Sequence, residues 1–226
     1  MRAIILAAGR GERLRPLTDH TPKPLIPVRG KPLIVWHIEA LAAAGVRDIV
    51  INTAWLGEQF PQVLGDGSAY GVRLHYSPEQ EALETGGGIA KALPLLCADG
   101  DDCFWVVSAD VFLPGYRFDA AQAQGFAASA RLAHLWMVAN RPHHPLGDFA
   151  ITPEGLAANT GEPRHTWTCI GLFRAALFAD AVPGQKIRLR HFLDQGIAAR
   201  AITAELYAGD WADVGTVQRL DELNQT

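Results

Sequence analysis

Hydrophobic positions in the first half of the chain alternate between short continuous runs and one longer stretch with helical spacing. The apolar runs at residues 4–8, 48–54 and 103–108 have the length of strands, and such runs are typical of strands buried on both faces. Residues 32–44 instead carry an apolar face at helical spacing, with a proline in the first turn and a glycine just past the end. The order strand, helix, strand predicts a right-handed parallel crossover.

Similar patterns predict further strands and helices along the rest of the chain. Strands are predicted at residues 74–76, 132–139, 149–151, 167–173 and 201–207, and helices at residues 87–96, 187–200 and 216–224. This alternation predicts an α/β protein with an open, mostly parallel, Rossmann-like sheet flanked by helices. Ligands of such sheets bind beyond the carboxyl ends of the strands. The loop at residues 9–15, Asn52 and Asp110 all lie at such ends, so we expect them to converge on one crevice.

The first predicted strand leads directly into a glycine-rich, cationic loop. Gly9 and Gly11 allow a tight turn and a close approach of a ligand, and three arginines and Lys23 surround them. Backbone NH groups and cations after a strand are suited to binding polyphosphate. The loop lacks the third glycine of a dinucleotide fingerprint and the Gly-Lys-Ser/Thr of a P-loop. The glycine pair alone is equally compatible with an ordinary turn.

Composition restricts the class of protein and its partners. The length of 226 residues suits one large α/β domain or at most two small ones, and an apolar fraction of 49% is ample for a core. A net charge of −4 argues against a nucleic-acid partner. No apolar run reaches about 18 residues and no signal peptide precedes the first strand, so we expect no membrane partner. Three widely spaced cysteines predict reduced, buried thiols and a cytoplasmic protein.

One extended pattern is far more specific than the glycine pair within it. The pattern G-x-G-x-R-x-x-P-x-T-x-x-x-x-K-x-L-x-P-V is complete from Gly9 to Val28. It resembles the signature of the sugar-nucleotide pyrophosphorylases, which are nucleotidyltransferases that join a sugar-1-phosphate to a nucleoside triphosphate. The resemblance covers essentially the whole chain. It implies one nucleotidyltransferase domain with a glycosyltransferase-A-like fold at residues 1–226, with a nucleotide-binding half at 1–115 and a sugar-phosphate-binding half at 116–226.

The resemblance also implies roles for residues near the triphosphate. Arg13 would contact the leaving pyrophosphate and Lys23 would neutralise phosphate charge, whereas a solvated surface pair is the alternative for both. The implied nucleotide-binding set is Ala7, Ala8, Gly9, Gly11, Asn52, Glu84, Thr85 and Gly86. Three successive glycines at 86–88, just before a predicted helix, would form a flat platform for the base or, alternatively, a mobile hairpin loop.

Asp110 and Asp213 match the two aspartates that hold Mg²⁺ in this family. Asp110 ends an apolar strand, and Asp213 lies in the segment W-A-D-V-G-T. Structural alternatives are a turn or cap at Asp110 and a helix cap at Asp213, although Thr216 is better placed for that cap. The two aspartates are distant in sequence, so the fold has to bring them together, and we expect that it does.

The sugar-phosphate side departs from the family pattern. The candidates are Gly147, Asp148, Asn159, Glu162, Gly171 and Lys186. Many family members have a Glu-Lys-Pro motif whose lysine holds the sugar phosphate, but here Glu162 is followed directly by proline. Arg164 or Lys186 would have to substitute for that lysine. The adjacent histidines at 143–144 are expected at a loop surface rather than in a metal site.

Within the family, the chain is most similar to short bacterial enzymes that uridylylate N-acetylmuramate-1-phosphate in cell-wall sugar recycling. We therefore expect transfer of UMP from UTP to a sugar-1-phosphate, with release of pyrophosphate, by a monomer or small homo-oligomer. A mannose-1-phosphate guanylyltransferase or a glucose-1-phosphate nucleotidyltransferase is the alternative within the family. A catalytically silent nucleotide sensor is the alternative outside catalysis, and the retention of both aspartates argues against it.

Overall fold

The computed structural model describes residues 1–225. The strands are β1 (Arg2–Leu6), β2 (Pro27–Val28), β3 (Lys31–Pro32), β4 (Asp48–Thr53), β5 (Arg73–Pro78), β6 (Cys103–Ser108), β7 (Val111–Phe112), β8 (Ala133–Val138), β9 (Phe149–Ile151), β10 (Ala157–Ala158), β11 (Arg164–Arg174), β12 (Ile202–Leu206) and β13 (Ala212–Asp213). The helices are α1 (Leu33–Ala43), α2 (Gln59–Leu64), α3 (Glu84–Leu96), α4 (Ala120–Ala128), α5 (Leu189–Ala198) and α6 (Val217–Gln225). Short 3₁₀ turns at Glu12–Leu14, Leu17–Asp19 and Lys23–Leu25 shape the loop after β1.

A nine-stranded mixed sheet crosses the part of the molecule that the structure describes. Strands β5, β4, β1 and β6 run parallel, as the crossover pattern predicts. Strand β11 runs antiparallel to both β6 and β8, and β12 pairs with β8 in parallel. The predicted α/β sheet flanked by helices is confirmed, with β11 as an antiparallel strand between the two parallel groups.

Side chains on the two faces of the sheet pack into separate apolar cores. In β1, Ala3 and Ile5 join the core beneath α1, whereas Ile4 faces the core beneath α3 and α5. All three are fully buried, and burial of one such isoleucine side chain contributes about 1.5–3 kcal/mol. Burial on both faces explains why the central strands are continuous apolar runs rather than alternating ones.

The register of the parallel strands aligns their carboxyl ends. Leu6 lies opposite Asn52 of β4 and opposite Ser108 of β6. The loop after β1, the end of β4 and Asp110 therefore lie along the same edge of the sheet.

A third apolar cluster fastens the C-terminal helix to this edge. Leu220 of α6 packs with Leu14 of the loop after β1, with Phe112 of β7 and with Val214. Residues from both ends of the chain therefore meet beside the predicted crevice.

Most predicted elements are found within a few residues of their expected bounds, and the strand at residues 103–108 agrees at both ends. Helix α3 begins at Glu84, three residues before its predicted start, and so contains the whole glycine run at residues 86–88. Helices α2 and α4 were not predicted. The first has only six residues, and the second is an alanine-rich segment whose Asp119 cap accepts a hydrogen bond from Ala121 N at 2.7 Å.

None of the helices within residues 1–225 combines the length and the apolar character that a membrane span needs.

Candidate active site

A cavity of about 520 Å³ opens at the carboxyl ends of β1, β4 and β6. Ten residues predicted to act on the nucleotide, the leaving group or a metal line it: Ala7, Ala8, Gly9, Gly11, Arg13, Lys23, Asn52, Glu84, Thr85 and Asp110. The structure therefore brings the signature loop, the start of α3 and the end of β6 to one cleft, where sheets of this type bind their ligands.

The signature loop is held in place by contacts of its own residues. Gly11 has a φ of 69°, and a Cβ there would lie 3.0 Å from side-chain carbons of Lys23 and Thr18, so a glycine is needed. Arg10 stacks 3.8 Å above the ring of Trp55 and donates to Thr18 O at 2.6 Å. Arg10 thus stabilises the loop, while Arg13 is left exposed beside the cleft.

Lys23 and Asp110 form an ion pair at the floor of the cleft. Lys23 Nζ lies 2.9 Å from Asp110 Oδ2, and Ser108 Oγ donates to Asp110 Oδ1 at 2.7 Å. Burial raises the pKa of Asp110, but the charge of Lys23, the hydrogen bonds from Ser108 and Lys23 and the charge of Arg13 outweigh it. The net pKa of Asp110 lies below its usual value, so the carboxylate is ionised at neutral pH.

Asp213 lies on the strand that pairs with the segment after Asp110. In the antiparallel pair β7–β13, Asp213 faces Val111, and Val214 N donates to Asp110 O at 2.8 Å. Thr216 Oγ1 accepts from Arg219 N at 3.3 Å, so Thr216 provides the cap of α6 that was the structural alternative for Asp213. The fold therefore brings the two distant aspartates onto neighbouring backbone segments.

The surroundings of Asp213 include two basic side chains. Oδ2 accepts a hydrogen bond from Arg219, and His143 Nε2 lies 2.9 Å from Oδ1. Oδ1 is buried and accepts no hydrogen bond of good geometry from any residue in 1–225. A methyl group at Gly215 would lie 2.7 Å from Asp213 Oδ2 and 3.4 Å from Arg13 Nη1, so the carboxylate and the Arg13 guanidinium lie close together.

Two carboxylates of this kind would suit a hard divalent cation whose remaining ligands would be phosphates and water. Within residues 1–225 there is no cluster of three or more His, Cys, Asp or Glu side chains that would enclose a metal by themselves. Mg²⁺ is commonly bound by only one or two carboxylates together with substrate phosphates. The buried Asp213 Oδ1, which lacks a hydrogen bond, is a suitable ligand for such an ion.

The glycine run serves helix packing, which corrects the expected flat platform before a helix. Gly86, Gly87 and Gly88 are buried within the first five residues of α3. A Cβ on Gly86 would lie 2.8 Å from Ile187 O, and one on Gly87 would collide with Gln185 O. Gly87 N also donates to Ile187 O at 2.9 Å. Gly86 therefore faces the segment before α5, while Glu84 and Thr85 face the cleft.

Of the candidates for the sugar site, Gly147 and Asp148 lie in the same region as Asp110 and Asp213, near Cys169. Asp148 Oδ2 accepts from Trp167 N at 2.8 Å, and His144 Nε2 lies 3.2 Å from Oδ1. Burial and the neighbouring carboxylates Asp110, Asp148 and Asp213 raise the pKa of Cys169, which lies in the bulge of β11 between them. Gly147 has a φ of 62°, and its missing Cβ would lie 2.7 Å from Asn140 Oδ1.

The other sugar-side candidates have structural partners away from the cleft. Asn159 bonds to Asp194 and Arg190 of α5, each at 2.9 Å. Gly171 makes room for the Phe173 ring inside the sheet. Lys186 forms an ion pair with Glu81 at 2.9 Å in a separate surface groove. This placement corrects the expectation that Asn159, Gly171 and Lys186 line the sugar site.

Arg164 is better placed than Lys186 to act on the sugar side. Its Nη2 donates to Asp148 O at 2.6 Å, and its backbone N donates to Glu162 Oε2 at 3.2 Å. Its Nε is buried and has no hydrogen-bond partner among residues 1–225. Glu162 is thus a neighbour of Arg164 on the exposed turn before β11.

Sequence patterns did not identify three residues that touch the aspartates. Ser108 and Arg219 lie two residues before Asp110 and six residues after Asp213, positions that local spacing could have flagged. His143 was expected at a loop surface, and it is exposed, but it also contacts Asp213. That contact depends on the long loop between β8 and β9, whose course no local pattern indicates.

Comparison with known proteins defines the class. Residues 2–152 match the model of the nucleotidyl transferase family, and the chain belongs to that family. A crystal structure of a Bacillus anthracis protein assigned as a glucose-1-phosphate thymidylyltransferase superimposes with a TM-score of 0.85 at 22% identity, covering 100% of this chain and 94% of that one. HddC from Yersinia pseudotuberculosis superimposes with a TM-score of 0.78 at 18% identity, covering 99% and 98%. These structures share the fold.

Relatives found among curated proteins have named activities and higher sequence identity than these structures. The N-acetylmuramate alpha-1-phosphate uridylyltransferase of Neisseria meningitidis serogroup B is 47% identical over 226 residues, which cover 98% of this chain and 96% of that protein. A glucose-1-phosphate thymidylyltransferase of Streptomyces griseus is 28% identical, and this chain spans 65% of its length. A mannose-1-phosphate guanylyltransferase of Mycobacterium tuberculosis is 39% identical over 129 residues, or 57% of this chain and 34% of that protein. The resemblance to sugar nucleotidyltransferases is confirmed.

Proposed function

We propose that this protein transfers UMP from UTP to N-acetylmuramate-α-1-phosphate and releases pyrophosphate. The observation that carries the proposal is the 47% identity to a uridylyltransferase of that specificity over nearly the whole of both chains. The mannose-specific relative matches over little more than half of this chain, and the glucose-specific relative is only 28% identical. An enzyme of this kind would serve cell-wall sugar recycling in the cytoplasm.

Charge neutralisation is the main catalytic task in this reaction. A phosphate oxygen of the sugar attacks the α-phosphorus of UTP while pyrophosphate departs, and both reactants are anions. The attacking oxygen is already ionised, so no side chain has to remove a proton. The groups that matter are therefore those that position and neutralise phosphates.

The signature loop would receive the triphosphate. Backbone NH groups around Gly9 and Gly11 border the cleft, and Arg13 stands beside it as an exposed cation. Lys23 is only 7% exposed, and its ammonium group faces Asp110. A phosphate entering the cleft would share this ammonium with Asp110.

Asp110 and Asp213 would hold Mg²⁺, which would supply positive charge to the phosphates. Ser108 keeps Asp110 in position through its hydrogen bond to Oδ1, and Lys23 keeps the carboxylate ionised. Arg219 donates to Oδ2 of Asp213, and His143 Nε2 lies 2.9 Å from Oδ1. The chain thus presents two oriented carboxylates beside the triphosphate loop.

The acceptor carries two anionic groups, a phosphate and a lactyl carboxylate, and would need cations on the sugar side. Arg164 lies beside Asp148, and the loop between β8 and β9 contributes Arg141. Arg141 Nη2 donates to Trp211 O at 2.6 Å, which fastens this loop to the segment before Asp213. We assign the sugar phosphate to Arg164 rather than to Lys186, whose partner lies in a separate groove.

The test is a matrix of four nucleoside triphosphates against several sugar-1-phosphates, read by release of pyrophosphate with Mg²⁺. The highest kcat/KM is expected for UTP with N-acetylmuramate-α-1-phosphate. A hundredfold higher turnover of GTP with mannose-1-phosphate would contradict the proposal. Absence of pyrophosphate release with every pair would indicate a nucleotide-sensing protein instead.

A further inference from the structure

A buried chain of hydrogen bonds connects the signature loop to the segment before α3. Ala7 N donates to Asn52 Oδ1 at 2.8 Å, and Asn52 Nδ2 donates to Glu79 Oε1 at 2.7 Å. The second carboxylate oxygen, Glu79 Oε2, accepts from Leu83 N at 2.8 Å. Asn52 is 3% exposed and Glu79 is 6% exposed, so water does not readily replace any of these bonds.

The direction of every bond in this chain is fixed. The backbone NH of Ala7 can only donate, so Asn52 must present its oxygen to Ala7 and its amide NH₂ to Glu79. Leu83 N is also a donor. Glu79 therefore faces two donors, and a carboxylate, which only accepts, satisfies both.

Close packing by α3 leaves no room for this pair to rearrange. A Cβ on Gly88 would lie 2.6 Å from Asn52 Nδ2 and 2.7 Å from Glu79 Oε1. The third glycine of the run therefore allows the helix to press directly on the Asn52–Glu79 contact. Leu83 O in turn accepts a hydrogen bond from Ile187 N at 3.1 Å, so both the NH and the carbonyl group of Leu83 are hydrogen-bonded.

Leu83 lies within the segment at residues 82–85, which forms one wall of the cleft. Ala82, Glu84 and Thr85 line the cavity, whereas Leu83 is buried between them. Glu84 has a φ of 61°, a left-handed conformation that a glutamate adopts only when its neighbours hold it there. The bond from Leu83 N to Glu79 fixes the residue immediately before this strained position.

We infer that Glu79 is a positioning residue that sets the base-facing wall of the cleft relative to the phosphate loop. The inference rests on the proposed function, because it takes residues 82–85 as the wall beside the nucleobase. Glu79 is not among the residues that line the cavity. It holds Leu83, and through Asn52 it couples that wall to Ala7 at the start of the signature loop.

Exchange of the two polar side chains tests this inference. In E79Q, the amide NH₂ introduced at position 79 faces a donor, either the NH₂ of Asn52 or Leu83 N. In N52D, an oxygen of the introduced carboxylate faces the Glu79 carboxylate, and both groups only accept. In the double variant N52D/E79Q, the carboxylate introduced at position 52 accepts from Ala7 N and from the amide NH₂ introduced at position 79. The oxygen of that amide then accepts from Leu83 N. All three bonds are restored with the carboxylate moved to position 52.

Steady-state kinetics with each of four nucleoside triphosphates provide the readout, together with calorimetric binding of UTP alone. Loss of one buried hydrogen bond is expected to raise KM for UTP about tenfold in E79Q and to lower the preference for UTP over the other triphosphates. The kcat with UTP is expected to change less than KM. Because Asn52 itself lines the cleft, the double variant is compared with N52D, and its KM for UTP and its nucleotide preference are expected to lie about tenfold closer to the wild-type values than those of N52D.

The matched control is E81Q, because the side chain of Glu81 is 77% exposed and its ion-pair partner within residues 1–225 is Lys186 at the surface. It should leave KM and nucleotide preference unchanged. A folded E79Q variant with wild-type KM and preference would overturn the inference, as would a double variant that performs no better than N52D or fails to fold. Should E79Q itself fail to fold, the comparison of the double variant with N52D decides.

Failure of the proposed function gives a different result. If the wild-type enzyme prefers a triphosphate other than UTP, the uridylyltransferase assignment is wrong, and the loss and rescue are then measured with the preferred triphosphate. Loss of preference without rescue contradicts the positioning role of Glu79 but leaves the proposed reaction standing.

Discussion

Replacement of Lys23 by methionine is expected to separate catalysis from folding in this protein. The side chain is nearly buried, its alkyl part packs against Gly11, and its ammonium group lies 2.9 Å from Asp110 Oδ2. Methionine keeps an unbranched apolar chain in that space and removes the charge. The carboxylate of Asp110 then keeps its hydrogen bond from Ser108 at 2.7 Å.

The magnitude follows from the exposure of the two partners. Breaking a fully buried ion pair costs about 3–5 kcal/mol. The side chain of Asp110 is 41% exposed to the cleft, so water can solvate the remaining carboxylate. We therefore expect a loss of about 1–2 kcal/mol in the free energy of unfolding. Removal of a cation that stabilises phosphate charge in the transition state should lower kcat by about 10²–10³.

Two measurements check this prediction: urea unfolding for stability, and pyrophosphate release under saturating substrates for kcat. The control is K186M, which removes a lysine whose ammonium lies 2.9 Å from Glu81 in a separate groove. That variant should keep kcat within about threefold of wild type. A K23M variant with wild-type kcat, or a K186M variant that loses as much activity as K23M, would refute the reasoning about which lysine serves the phosphates.

Three further predictions concern the aspartates, a buried histidine and the glycine run. D110N and D213N should each lower kcat/KM about 10²-fold or more and raise the Mg²⁺ concentration needed for activity, and near-normal turnover in both would contradict the assignment. His37 is buried and bonded to Val111 O at 2.8 Å, and burial lowers its pKa from 6.5 to about 4. Because the unfolded chain takes up this proton first, the free energy of unfolding should fall by about 3 kcal/mol between pH 6.5 and 4, and urea titrations of H37Q should show a shallower dependence. G88A should lower the melting temperature and the free energy of unfolding, the latter by about 1–3 kcal/mol, because the added Cβ would lie 2.6 Å from Asn52 Nδ2. Helix propensity alone predicts the opposite, a gain in stability.

The sequence was most informative where local pattern and signature coincide. The apolar run at residues 103–108 and the complete signature from Gly9 to Val28 predicted a strand and a loop at the same sheet edge, because both features are local. The register of β1, β4 and β6 then aligns their ends without any further information. Residues placed by these elements, such as Lys23 and Asp110, lie in the cleft as expected.

Sequence reasoning failed where a distant segment decides the local structure. The sequence predicts a helix from residue 87, with the glycine run at its start as a platform for the base. In the structure, α3 begins at Glu84 and contains all three glycines. Glycine is needed because Ile187 O leaves no room for a side chain at Gly86, and Asn52 Nδ2 leaves none at Gly88. Lys186 was a reasonable phosphate ligand by charge alone, and only the path of the chain before α5 shows that it faces Glu81 instead.

The position of Asp213 illustrates how the two ends of the chain complete one site. Strands β7 and β13 contribute only two residues each, too few for any periodic pattern to predict their pairing. Their contact is supported by the apolar cluster in which Leu220 of α6 packs with Leu14. Truncation of Leu220 to alanine should therefore act on the Mg²⁺ requirement as well as on stability, since it loosens the element that carries Arg219 against Asp213. Because Leu14 belongs to the signature loop, the same cluster makes the geometry of the proposed phosphate site depend on α6.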